Sequence, residues 1–427
     1  MMHLGWFLSY NPQGWGEIHS DRGNHFPNPD MFVDAARTLE RAGFDYLMIE
    51  DGSFIPDAYG QSMEYSLRSS FAAPKHDPMA LVPLLAANTD RIGIIATMTT
   101  TFYPPFLAAR LMTTLDHLSH GRVGFNLVTS HNDRTAQNYG LEKQFPHDQR
   151  YEIATDWAQA VTKLLTSWDE DAVVDDVENG VYADHTKVHT VDHEGPYFST
   201  RGPLNAPPGP QRVPVICQAG GSPVGREFAA TYADTIVAPS GPLSWMKEYR
   251  DDLRERLSDH GRNPDDVKIM FLCDFIIGDT HDDALELQRR KHDEQAQDPE
   301  KVLARMSFAS GVDFAQFDLD APVPPIETNA AKTTTDAYFK GREHMTLREI
   351  ATSVNTSLEI VGSPSSAADQ MEAVMAEVGG DGFLIGNPVT HRALADIAGD
   401  LAPELRRRGL IRSEYTEDTL RGNLRAY

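Results

Sequence analysis

The stretch Arg122–Gly140, RVGFNLVTSHNDRTAQNYG, decides the fold. Its first half alternates: Val123, Phe125 and Leu127 are apolar, with Gly124 and Asn126 between them, the period-two pattern of a strand. The second half breaks into Thr129, Ser130, His131, Asn132 and Asp133, all hydrogen-bonding side chains. A buried strand that ends abruptly in polar chemistry is what the carboxyl end of a parallel β-strand looks like where it opens on a site.

Working outward, the same kind of short apolar run recurs eight times: residues 3–9, 44–50, 91–97, 122–128, 213–219, 234–238, 269–278 and 382–386. Helical periods separate them over 29–42, 78–88, 104–118, 149–167, 223–232, 242–259 and 365–378. Asn28 or Asp30 is placed to cap the first helix and Gly43 to stop it, and Pro78 suits a first helical turn. Strands alternating with helices argue for βαβ units, and eight of them predict an α/β fold of the (β/α)8 TIM-barrel type, with a doubly wound sheet as the alternative. Residues 168–212 and 309–350 break the rhythm and read as insertions into one domain spanning 1–427, the second a candidate lid. Long loops on a barrel often build or cover its active site.

Composition narrows the class of function. A net charge of −25 disfavours nucleic acid or an anionic membrane as partner. No early basic segment leads an apolar run, and no stretch of about 18 apolar residues exists, so a cytoplasmic protein is expected. Cys217 and Cys273 sit inside apolar runs and read as small core residues. His185, His189 and His193 are four apart, but their segment lacks helix signals and is not read as a metal site. No G-x-S-x-G, Walker loop or G-x-G-x-x-G after the first strand occurs.

The strand ends collect the polar residues. The first is followed by SYNPQGWGEIHSDRGNHF, the second by Asp51, the third by Thr97 and further threonines, and the fourth supplies Asn126, Ser130 and His131. The fifth runs into QAGGSPVGREFAA, where Gly220, Gly221 and Ser222 lead into a helix. Such a turn suits an anion at free helix amides, and equally an ordinary strand-to-helix connection.

The segments FYPPFLAARLMTTLDHLSHGRVGFNLVTSHNDRTAQNYG, HDQRYEIATDWAQAVTKL, KVHTVDHEGPYFSTRGPLN and PQRVPVICQAGGSPVGREFAATYAD closely resemble the bacterial luciferase-like flavin-dependent monooxygenases. The resemblance runs from the first strand to ELRRRGLIRSEY, and is strongest to the branch of nitrilotriacetate, EDTA, dibenzothiophene-sulfone and long-chain alkane monooxygenases. It implies a (β/α)8 barrel and FMN, used reduced (FMNH2), as cofactor. By this resemblance Asp51 matches an acidic position near the isoalloxazine, Thr97 the residue beneath the ring, His147 and Tyr151 the pair reaching the ribityl chain and phosphate, and Gly221 with Ser222 the phosphate loop. Asn126 and Thr97 match a pair that holds O2 against the flavin, and His131 a histidine proposed as catalytic in alkane-oxidising relatives. A neutral imidazole there could stabilise or protonate a flavin peroxide. Phe125 stands where tryptophan is commoner, a change expected to affect packing more than chemistry.

The function implied is the oxygenase component of a two-component monooxygenase. Reduced FMN would come from a separate NAD(P)H:flavin reductase, and one oxygen of O2 would pass through an N5 or C4a flavin peroxide to a small organic substrate. A homodimer or homotetramer is expected. The alternatives are a deazaflavin-dependent dehydrogenase on the same barrel and a non-catalytic flavin-binding protein.

Overall fold

Eight parallel strands alternate the direction of their side chains so regularly that each builds two cores at once. In the computed structural model these are β1 (His3–Ser9), β2 (Tyr46–Glu50), β3 (Gly93–Thr99), β4 (Val123–Val128), β5 (Val215–Gln218), β6 (Thr235–Pro239), β7 (Lys268–Ile277) and β8 (Gly382–Ile385). The structure describes all residues except 16–25, 324, 325, 327, 331–334, 336, 337, 340 and 354–356. Strands β1 to β7 pair in chain order, β8 lies between β7 and β1, and the circle is closed. This is a closed (β/α)8 TIM barrel, as the spacing of the apolar runs predicts.

Outward-facing Trp6, Leu47, Ile94, Phe125, Ile236 and Phe383 join the layer between barrel and helices. Inward-facing Tyr46, Met48, Ile95, Val215, Cys217, Val237, Met270 and Leu384 fill the barrel, with Leu420 and Leu424 plugging its lower mouth. Both cysteines are buried and free. Gly5 is required by this packing, because a Cβ there would lie 2.8 Å from atoms of both Leu384 and Tyr46.

The helices that position the site are α1 (Asp30–Ala42), α2 (Pro78–Ala86), α3 (Pro105–Leu118), α4 (His147–Leu165), α5 (Pro223–Tyr232), α6 (Leu243–Asp259), α7 (His281–Gln297), α8 (Pro299–Ser310) and α9 (Pro364–Val378). The Asn28 side chain accepts from the Asp30 amide at 3.1 Å, and Gly43 ends α1 in the left-handed region at φ 85°. Helices α7 and α8 and a short strand, Glu359–Gly362 on the far end of β7, have no counterpart in the sequence reading.

The two insertions behave differently. Residues 168–212 form two small hairpins on the outside of the barrel, Gln211 bonding Asp116 of α3 and His193 bonding Asp156 of α4. None of them reaches the cleft described below, contrary to the expectation that this loop builds or covers the site. Its chain is spent on covering helices α3 and α4, whose buried Asp116 and Asp156 need donors. His189 bonds Asp169 and His193 bonds Asp156, so His185, His189 and His193 share no common centre. From 309–350, Asn329 and Ala330 do reach the cleft, while 324, 325, 327, 331–334, 336, 337 and 340 of the candidate lid lie outside the described residues. So does 16–25 of the first strand-end loop.

Candidate active site

A cleft of about 280 Å³ opens at the carboxyl ends of β2 to β5. Asp51, Thr97, His131, His147, Tyr151, Gly221 and Ser222 all line it. Asn126 lies directly beneath, so every residue assigned to the flavin site by family resemblance meets at one place.

The register of the barrel fixes the floor. Thr97 of β3 and Asn126 of β4 are partners across the sheet and share the inward parity of Ile95 and Gly124. The Asn126 amide donates from Nδ2 to Thr97 Oγ1 at 3.0 Å, which orients the amide. Its Oδ1 is buried and has no partner among the described residues. A buried acceptor left unpaired costs on the order of 1–3 kcal/mol, so this atom is a cost that a ligand would relieve.

Beyond β4 the chain turns sharply. Ser130 adopts φ 48°, a left-handed conformation that strains a residue with a side chain. Three contacts hold it there: its Oγ donates to Thr99 Oγ1 at 2.9 Å, and its carbonyl accepts from Arg150 Nη1 at 2.8 Å and Gln144 Nε2 at 3.2 Å. The turn presents His131, packed edge-on to Phe308 with ring centroids 6.0 Å apart. Burial, and secondarily the nearby Arg150 charge, pull the His131 pKa down to about 4. Its imidazole is therefore neutral near pH 7, and Nε2 is enclosed without a partner among the described residues. A neutral ring with this preference holds or accepts a hydrogen bond well, but is a poor proton donor. Of the two roles expected for His131, the environment suits stabilising and disfavours protonating.

Asp51 lines the cleft just beyond the end of β2. Burial lifts its pKa to about 6, and the neighbouring Lys75 charge only partly offsets this. Lys75 itself pairs with Glu50 Oε1 at 2.5 Å.

The far end is built by α4 and α5. His147 and Tyr151 occupy one face of α4 with ring centroids 5.4 Å apart. Ser222 caps α5, its Oγ accepting from the Gly225 amide at 3.2 Å, and Gly225 is needed because a Cβ would come within 2.6 Å of Tyr151 Oη. Burial raises the Tyr151 pKa, while hydrogen bonding to Ser222 and Gln218 opposes the rise, so the phenol stays a donor. Arg226 Nε donates to the Gly221 carbonyl at 3.0 Å, and Tyr249 Oη to that of Gly220 at 2.8 Å. With those carbonyls tied back, the loop offers amides and hydroxyls, the donor set for a phosphate.

Arg150 escaped the sequence reading. It is buried, spans the Ser130 and Asn329 carbonyls at 2.8 Å each, and its Nε has no partner among the described residues. Its place in PHDQRYE, between His147 and Tyr151 on a helix entering the site, was the available signal. Phe308, Phe54 and Gln218 were also missed; the first is carried by the unforeseen α8.

Residues 2–382 match the family described as luciferase-like monooxygenase. The chain is 34% identical over 439 residues to the dibenzothiophene-sulfone monooxygenase of Rhodococcus erythropolis (strain XP), covering 99% of this chain and 96% of that protein. It is 32% identical over 438 residues to nitrilotriacetate monooxygenase component A of Aminobacter aminovorans, with the same coverage of 99% and 96%. Among solved structures, a riboflavin lyase with modified FMN and riboflavin superposes with a TM-score of 0.90 at 29% identity, covering 100% of this chain and 96% of that one. An F420-dependent secondary alcohol dehydrogenase, at 14% identity over 95% of this chain and 99% of that one with a TM-score of 0.59, shares the fold alone.

Proposed function

The chain belongs to the luciferase-like monooxygenase family, and from that premise we propose that it is the oxygenase component of a two-component FMN-dependent monooxygenase. In this reading it takes reduced FMN from a separate NAD(P)H:flavin reductase and places one atom of O2 into a small organic substrate. The similarity to a nitrilotriacetate monooxygenase component A and to a structure holding modified FMN supports it.

The observation that carries the reading is the convergence of unsatisfied polar atoms. Asn126 Oδ1, His131 Nε2 and Arg150 Nε are buried, without partners among the described residues, and gathered on or just beneath one cleft. Native proteins leave few buried polar atoms unpaired, so three around one cavity mark a place for a polar ligand. FMN fits the donor set: the Thr97–Asn126 pair would meet its ring system, and the amides, hydroxyls and guanidinium would hold its phosphate.

Reduced FMN supplies the electrons that activate O2. The protein supplies the rest. Tyr151, Ser222, Gly221 and His147 hold the phosphate and ribityl end, and Arg150 adds the positive charge that an anionic cofactor needs. Thr97 orients the Asn126 amide, which would be presented to the bound flavin. Asp51, with a pKa of about 6, holds or releases a proton close to neutral pH. His131 stays neutral and steadies developing charge by a hydrogen bond. Phe54 and Phe308 stack at 5.7 Å and keep water from the reacting face.

The test mixes the protein with FMN, NADH, a generic flavin reductase and ¹⁸O2 over a panel of sulfones, sulfides, alkanes, polyaminocarboxylates and haloaromatics. One labelled oxygen per product molecule is expected. Failure to retain FMN, or products without label, would overturn the proposal. Riboflavin belongs in the panel, because the likeness to a riboflavin lyase favours a flavin itself as the second candidate substrate.

A further inference from the structure

Next to the flavin cleft lies a second cavity of about 570 Å³, and Phe308 is the wall common to both. Phe308 stacks on Phe54 at 5.7 Å and meets Phe71 edge-on at 5.4 Å, while Tyr65 packs on Phe71 at 6.4 Å. These rings make an aromatic box at the boundary with the flavin cleft. Beyond it, the second cavity continues into a third of about 720 Å³, the two sharing Asp298, Lys301, Arg305 and the Gly386–Pro388 turn.

Helix α8 sets the order of groups along this path. Lys301, Arg305 and Phe308 are four and three residues apart, which places them on one helix face. At 1.5 Å of rise per residue, Arg305 stands about 4.5 Å and Lys301 about 10.5 Å along the axis from Phe308. The face therefore runs from an aromatic ring beside the flavin cleft to cationic side chains leading away from it.

Other charges around the second cavity already have partners. Lys75 and Glu50 pair with each other, and Glu50 also accepts from Ser9. Asp298 caps α8 by accepting from the Lys301 amide at 3.3 Å. Arg305 forms no ion pair or hydrogen bond among the described residues, and it is exposed to the shared space between the two cavities. Its electrostatic neighbours are the neutral phenols of Tyr65 and Tyr338. In a chain of net charge −25, a guanidinium left free at the mouth of a cavity is conspicuous. Its planar fork matches a carboxylate, sulfinate or sulfonate in two parallel hydrogen bonds.

We propose that Arg305 is a specificity-determining residue that anchors an anionic group of the substrate, so that the substrate is a compact apolar or aromatic molecule carrying one such group about a helical turn from the carbon or heteroatom presented to the flavin. This assignment rests on the oxygenase reading above. It also accounts for how a strongly acidic protein accepts an anion: a local cation acts at contact distance, while the diffuse surface charge is screened beyond about 10 Å.

The experiment uses the FMN-loaded protein and a matched pair of probes, 3-phenylpropionate and 3-phenylpropan-1-ol, titrated calorimetrically. The acid is expected to bind the unaltered protein about tenfold more tightly than the alcohol. Arg305→Ala removes that preference and leaves alcohol affinity and FMN affinity unchanged; Arg305→Lys keeps part of it. Equal binding of acid and alcohol, no binding of either at millimolar concentration, or a preference that survives Arg305→Ala overturns the assignment. FMN titration of the same preparations separates the two readings. Lost FMN binding in the unaltered protein strikes the oxygenase proposal, whereas retained FMN with no acid preference strikes Arg305 alone.

Discussion

Asp51 offers a prediction that needs neither cofactor nor substrate. Burial, which penalises the charged form, lifts its carboxyl pKa from the ordinary 3.8 to about 6 in the folded protein. A raised folded-state pKa in an acid means that ionisation is easier in the unfolded chain. Stability is thus intact below about pH 4, falls as the pH climbs from 4 to 6, and stays lower by a constant amount above 6. The two pKa values differ by roughly 2 units, and at 1.36 kcal/mol per unit the full cost is on the order of 3 kcal/mol. About half of it is already present at pH 5. Asp51→Asn removes the charge and keeps the shape, so the variant should be the more stable protein. Urea unfolding of both proteins without FMN, from pH 5 to pH 8.5, should show the gap in their favour of the variant widen by about 1.4 kcal/mol up to pH 7.5 and then stay level. FMN affinity should fall in the variant, the exchange of stability for function expected at a working site. A gap that is flat with pH, or that favours the unaltered protein throughout, would refute the argument that this carboxylate is held ionised against its surroundings.

Three further outcomes follow from the cleft. Thr97→Val removes the acceptor that orients Asn126, so labelled product should drop by about 100-fold, the scale of one lost oriented polar group, while FMN affinity stays within about threefold; Thr97→Ser should recover most of the activity, and Asn126→Ala should match Thr97→Val. Unchanged product formation in Thr97→Val would sink the oxygen-site role. The His131 pKa of about 4 lies below its unfolded value, so stability should be lost as pH falls from about 6.5 towards 4, and the ring's NMR resonance should not move between pH 8 and pH 5.5. A midpoint near 6.5 would contradict the burial argument. Tyr151→Phe and Ser222→Ala should each weaken FMN by about tenfold but riboflavin hardly at all, measured by fluorescence quenching, because only FMN carries the phosphate these groups would bind. Equal loss for both flavins would move the phosphate elsewhere.

The barrel was legible in the sequence because its cause is local. Each strand is a short apolar run whose alternate residues face two different cores, and each following helix carries its own stop or start: Gly43 in the left-handed region, Pro78 behind the Asp77 cap, Ser222 at the head of α5. The polar residues at strand ends were legible for the same reason, since a barrel gathers those ends on one face whatever the loops do. Asp51, Thr97, Asn126, His131, His147, Tyr151, Gly221 and Ser222, which meet at or just beneath one cleft, were all singled out that way or by family resemblance.

What only the tertiary structure decided concerns partners far apart in the chain. The Thr97–Asn126 bond depends on the register of β3 against β4, and a slip of one residue would turn Asn126 towards the helices. The depressed pKa of His131 comes from burial and from Arg150, which is held in turn by the carbonyl of Asn329. The 168–212 insertion carries the same loop-like composition as a lid, yet it lies on the outer helices, because the buried carboxylates of Asp116 and Asp156 draw its amides there. Phe308 and Arg305 gain meaning only when α8 is laid beside the cleft. Periodicity records which way a side chain points from its own backbone; hydrogen-bond partners, desolvation and the company of distant charges are properties of the folded chain alone.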